Sequence, residues 1–196
     1  MVKDDLTRTL VGITLGALTI LGLAACASPS ATVAGDYPDV TLAKTKSPAQ
    51  LLRNEAAARL PADVIDEIIE SQDASVACLS EDEDPEGTIR SWHSTVDVLI
   101  LGEAEVAPLV KDLVASFEEQ GWTGRDLGGN ASTVKKLLES DGSLADMQIS
   151  GFTPDENATS VSLEESVDQR TVQIEVHGPC VRTAGATSEE VTSLQK

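Results

Sequence analysis

Aromatic side chains are nearly missing from this chain of 196 residues: Tyr37, Trp92, Phe117, Trp122 and Phe152 are all it has. Base stacking and sugar platforms both need such rings, so the scarcity argues against single-stranded nucleic acids and carbohydrates as ligands. Positive charge is short as well: 14 Lys and Arg stand against 33 Asp and Glu, a net charge of -19. Phosphate backbones are held by a basic footprint that this composition does not supply, so no nucleic-acid partner is expected. Anionic lipid headgroups repel such a chain within about 8 Å, the Debye length at physiological salt. An acidic surplus also keeps a protein soluble without any specific partner.

Catalytic signatures are missing too. The sequence has no nucleophile-elbow pattern and no SxxK motif, and its many carboxylates are too common for any one pair to carry information. His93 and His177 are the only histidines. Each falls in the outward phase of an alternating segment, and a two-histidine metal site would require the two strands to be neighbours. The acidic run Asp82 to His93 places Asp82, Asp84 and Glu86 at alternate positions ahead of Gly87, as a calcium loop does. Arg90 and His93 then stand where calcium ligands belong, and Pro85 stiffens the loop, so a solvated acidic turn is expected there. No metal, no cofactor and no catalytic residue is expected.

Long apolar runs are absent apart from Leu10–Ala25, which carries no charge but is shorter than the roughly 20 residues a spanning helix uses. It follows the short polar segment Met1–Thr9 and precedes the polar stretch after Cys26, with no basic stop-transfer cluster. This order reads as a cleaved signal. Leu23, Ala24, Ala25 and Cys26 resemble the lipobox of bacterial lipoproteins. The resemblance implies that Leu23, Ala24 and Ala25 are read by the lipoprotein signal peptidase and that Cys26 carries a diacylglyceryl group, with palmitate-type chains. The mature chain would then begin at Cys26, held to the outer face of the cell membrane. Each buried acyl methylene contributes about 0.8 kcal/mol and a stable hold needs two chains, which diacylation provides.

Of the three cysteines, a lipidated Cys26 leaves Cys78 and Cys180 for one disulfide in an oxidising compartment; two free buried thiols are the alternative. Closing a loop of about 100 residues contributes roughly 4 to 5 kcal/mol in the chain-entropy view.

The remaining sequence divides into a signal peptide over 1–25, a lipidated flexible tether over 26–46, one domain over 47–183 and a disordered tail over 184–196. Ser47, Pro48 and Gln50 signal a helix start, with Leu51, Leu52, Ala56 and Leu60 at helical spacing until Pro61 interrupts. A second helical segment is expected over Ala62–Glu70, from Val64, Ile65, Ile68 and Ile69. A short strand then holds Cys78. Alternation over Thr88–Leu101 puts Trp92, Val96, Val98 and Ile100 on one face and Ser91, His93, Thr95 and Asp97 on the other, a half-buried strand. Val106, Leu109, Val110, Leu113, Val114 and Phe117 form a helical stripe ending at Gly121. Two hairpins are expected after it: residues 132–140 with 143–152, where Thr133–Leu138 could equally be a helical turn, and residues 159–166 with 170–178, the latter with Val172, Ile174 and Val176 inward and Thr171, Gln173, Glu175 and His177 outward.

The whole is an α+β domain, an antiparallel sheet with helices packed on one face and one disulfide. Gly121-Trp122 and Gly178-Pro179-Cys180-Val181 resemble small lipoproteins of high-GC Gram-positive bacteria. The expected function is that of a membrane-anchored extracytoplasmic lipoprotein, a non-catalytic module binding a protein or small molecule. A surface-tethered hydrolase or metal-dependent enzyme is the alternative.

Overall fold

Strand β2, Ile89–Ile100, organises the molecule, because its alternating side chains divide cleanly between two faces. The computed structural model describes residues 35–130, 133–140, 145–153 and 170–196. In chain order these form α1 (Leu42–Ala58), a short 3-10 turn (Ala62–Val64), β1 (Ile65–Ala77), β2, α2 (Val106–Glu118), β3 (Thr123–Asn130), β4 (Thr133–Glu139), β5 (Asp146–Phe152), β6 (Thr171–His177), β7 (Val181–Arg182) and α3 (Glu189–Leu194). The seven strands make one antiparallel sheet in the order β1-β2-β6-β5-β4-β3, with β7 also pairing β2. Helix α1 lies on β2 and β6, and α2 on β5 and β4. The expected α+β class, with an antiparallel sheet, helices and a disulfide, is what the structure shows.

The core is the layer between helices and sheet. Trp92, Val96, Val98 and Ile100 of β2 meet Val172, Ile174 and Val176 of β6 there, together with Met147 and Ile149 of β5 and the α2 stripe Val106, Val110, Leu113, Val114 and Phe117. At full burial each such side chain contributes about 1.5–3 kcal/mol. Gly151 lies under α2: a Cβ at that position would come within 2.6 Å of Val106 and 2.8 Å of Val110. The helix therefore seats this closely only because a strand position has no side chain. Gly121, at φ +92°, ends α2 in the left-handed region.

Four expectations need correction. Helix α1 starts at Leu42, inside the segment expected to be tether, and Pro48 lies within it. Leu42 and Thr45 are wholly buried, and that packing outweighs the local cost of the proline. The buried stripe is Leu42, Thr45, Ala49, Arg53 and Ala56, while Leu51 is 68% exposed. The helix expected over Ala62–Glu70 is instead the turn and the first part of β1, where Ile65 and Ile68 pair with Ile100 and Val98. The spacing of these residues is helical but their β-branched side chains suit a strand, and the free edge of β2 decides between the two.

The tail expected to be disordered carries α3, capped by Ser188 and anchored by the buried Val191. Lys46 of α1 donates to the carbonyl of Leu194 at 2.6 Å, joining the last helix to the first. Residues 159–166, expected to pair with β6, lie outside the described residues. Both edges of β6 are taken over its full length, by β2 and by β5.

Cys78, just after β1, and Cys180, just before β7, are joined by a disulfide with Cα atoms 6.1 Å apart. Among the described residues no helix is long and apolar enough to cross a membrane.

Candidate functional site

The side chains that sequence analysis singled out meet different fates. Leu23, Ala24, Ala25 and Cys26 lie outside the described residues. In the acidic loop, Asp84 is buried and its carboxylate is fully engaged: one oxygen accepts from the Thr88 hydroxyl at 3.0 Å, the other from the Ile89 amide at 2.7 Å. Burial opposes its ionisation, but hydrogen bonds from Thr88 and Ile89 and the Arg90 charge outweigh this and hold the carboxyl below its ordinary range. Asp82 and Glu86 stay exposed. Asp84 thus shapes the turn into β2, with Gly87 at φ +59° completing it. Among the described residues the three carboxylates form no metal-binding group.

The histidines behave otherwise. On the sheet face opposite the helix-packed core, antiparallel register sets β2, β6 and β5 side chains in rows. His93, His177 and Asp146 form one row, and Thr95, Glu175 and Gln148 the next. A period of 2 along each strand places His177 and Glu175 on the same side. His93 Nε2 and His177 Nδ1 are 3.2 Å apart, with ring centroids 4.1 Å apart and planes at 61°. Glu175 Oε1 lies 3.4 Å from His177 Nε2 and 3.9 Å from His93 Nδ1. The strands are neighbours, which is the condition a two-histidine site requires.

The electrostatics follow from this crowding. Burial pushes His93 below its usual pKa, the neighbouring His177 pushes it further down, and Glu175 opposes both. Glu175 is held below the usual carboxylate range, first by the hydrogen bond from His177; partial burial opposes this, and the charges of both histidines and Lys135 reinforce it. Asp146 is raised by burial and by Glu139, with His177 acting against them. A neutral imidazole beside an ionised carboxylate offers lone pairs to a proton or a cation. Among the described residues, His93, Glu175 and His177 are the single group of three or more side chains with donor atoms close enough to share a metal ion.

Glu175 shares the outward phase of His177 in the sequence but is not among the candidate site residues. Its signal was available in Glu175-Val176-His177, two polar residues two apart flanking a buried one. Sequence analysis did not find the ion pair beneath α1, where Arg53 meets Asp73 at 3.2 Å with Arg53 only 8% exposed.

Compared with protein-family models, with curated proteins and with solved structures, the chain gives no significant match in any of the three.

Proposed function

We propose that this chain is an extracytoplasmic lipoprotein, anchored at the outer face of the cell membrane by lipid on Cys26, and that its domain is a non-catalytic binding module. The observation that carries the reading is the Cys78–Cys180 disulfide. Such bonds persist in oxidising compartments outside the cytoplasm, the side to which a Leu23-Ala24-Ala25-Cys26 leader would deliver the chain. Binding rather than turnover is favoured by how the reactive groups are used. Two of the three cysteines are spent in the disulfide, Asp84 holds a turn and Asp73 holds Arg53. The half-buried polar group around His93, Glu175 and His177 remains for a ligand.

Metabolic labelling with a fatty acid in the producing cell, beside a Cys26→Ala variant, tests the anchor. The expected result is label in the wild type alone, with a wild-type mass that rises by two hydrogens on reduction. Label-free wild-type protein, or label retained by the variant, would end the reading.

A further inference from the structure

We infer that His93, Glu175 and His177 form a binding site for one first-row divalent transition-metal ion of the zinc type. The donor geometry carries this. Zinc binds imidazole nitrogen and carboxylate oxygen at about 2.0–2.2 Å, so two ligands of a tetrahedral centre lie about 3.3–3.6 Å apart. The facing histidine nitrogens are separated by 3.2 Å, and Glu175 Oε1 is 3.4 Å from His177 Nε2 and 3.9 Å from His93 Nδ1. The histidine contact and the two carboxylate contacts use opposite nitrogens of each ring, so an ion takes one nitrogen from each: one ligand atom of each of the three side chains lies within 4.8 Å of the other two, and rotation about the side-chain torsions brings these three donors to the tetrahedral edge.

The backbone supplies the preorganisation. His93 and His177 are direct cross-strand partners where the C-terminal end of β6 pairs with β2, and Glu175 is two residues from His177 on the same face. Two rigid strands therefore fix all three Cα positions, and no loop has to close. Side-chain exposures of 24%, 28% and 33% for His93, Glu175 and His177 leave the group shielded yet reachable from solvent.

Ligand chemistry selects the ion. Two imidazoles and one carboxylate suit zinc, copper(II) or nickel(II); calcium and magnesium prefer all-oxygen sets, and copper(I) prefers sulfur. Three protein ligands leave the fourth position open, as in zinc centres that exchange a water or a ligand. Asp146 of β5 is the cross-strand partner of His177, beside the three ligands.

This assignment deepens the binding role proposed above by naming the ligand, but it does not need the lipid: metal uptake and acyl labelling are separate readouts, and either can fail alone. The test is titration of the purified full chain, disulfide intact, with zinc chloride in a non-chelating buffer, followed by calorimetry and by the His93 and His177 side-chain NMR signals. One equivalent bound with micromolar or tighter affinity is expected, with both imidazoles shifting together. His93→Ala and His177→Ala should each weaken binding at least tenfold, and Glu175→Gln, which keeps the shape, several-fold. Cobalt(II) should give the intense visible absorption of a tetrahedral centre. Asp82→Asn with Glu86→Gln should change nothing, and calcium should not compete. No saturable uptake below about 100 μM, or uptake unchanged in both histidine variants, overturns the site; amide spectra of the variants confirm that they are folded.

Discussion

Arg53 of α1 and Asp73 of β1 form an ion pair at 3.2 Å beneath the helix, and Ser94 of β2 links them by accepting from Arg53 at 2.8 Å and donating to Asp73 at 2.6 Å. The two ends of the pair are unequally supported. Asp73 also accepts from Gln50 at 2.9 Å and faces the Trp92 indole at 3.4 Å, whereas among the described residues Arg53 has Asn54 besides. Asp73→Ala strands a buried cation and should cost about 3–5 kcal/mol; Arg53→Met leaves a carboxylate with other donors and should cost about 1–3 kcal/mol. Denaturant unfolding of both variants checks the order, and a larger loss from Arg53→Met would refute it.

Acid should unfold the domain through Asp73 and Asp84. Burial opposes ionisation of Asp73, but hydrogen bonds from Ser94 and Gln50 and the Arg53 charge outweigh it, and Asp84 is depressed in the same sense. A carboxyl whose folded pKa is lowered stabilises the fold above its unfolded value, near 3.9 for Asp, and that stability is lost as pH falls through the lower folded value. Urea midpoints taken from about pH 5 down to about pH 2 should fall steeply, and Asp84→Asn should flatten the slope while lowering stability at neutral pH. An unchanged slope in the variant would exclude Asp84 from the effect.

Gly151→Ala should be destabilising although alanine suits a strand at least as well as glycine. The new methyl group meets Val106 and Val110 at 2.6 and 2.8 Å, so α2 must shift outward. A cost of about 1–3 kcal/mol is expected from such overpacking. Pairing it with Val110→Ala should recover part of the loss, which a thermal-melt comparison of the three proteins reads directly.

Replacing Cys78 and Cys180 together by serine opens a loop whose ends are 102 residues apart in sequence. The expected loss is about 2–5 kcal/mol, measured as a drop in denaturant midpoint that reductant reproduces in the wild type. Reductant that leaves the midpoint untouched would show that the bond adds no stability.

What the sequence made legible was the part governed by local periodicity. β2 and α2 were read with nearly correct bounds because alternation and a 3.6-residue stripe each admit one structure there. β1 is not legible because Val64, Ile65, Ile68 and Ile69 have helical spacing and no period of 2; pairing of Ile65 with Ile100 and of Ile68 with Val98, across a register shift, overrides it. The phase of α1 was misjudged because an arginine, Arg53, occupies its buried stripe, and it does so only because Asp73 waits beneath it. β3, with three glycines in eight residues, has little strand propensity of its own, and β4 supplies the ladder that forms it. The outward phase of His93 and His177 was visible in each segment separately. Their 3.2 Å contact spans 84 residues and follows from the strand order, which alternation along one chain segment does not encode.

The position of β6 has a consequence for how the chain assembles as it is made. The strand pair β1-β2 and the three strands β3-β4-β5 are both built from earlier sequence, yet among the described strands they are joined in the sheet through β6 alone, which is inserted between them. A nascent chain emerging from its N-terminal end can form two half-sheets, each with its own helix, but has no way to fuse them until residue 177 is free. Cys180 follows three residues later, so oxidation with Cys78 acts on an already assembled sheet as a latch. Any stall or truncation ahead of β6 leaves two exposed strand edges facing each other without a bridge, and such edges are where unfinished β-proteins aggregate.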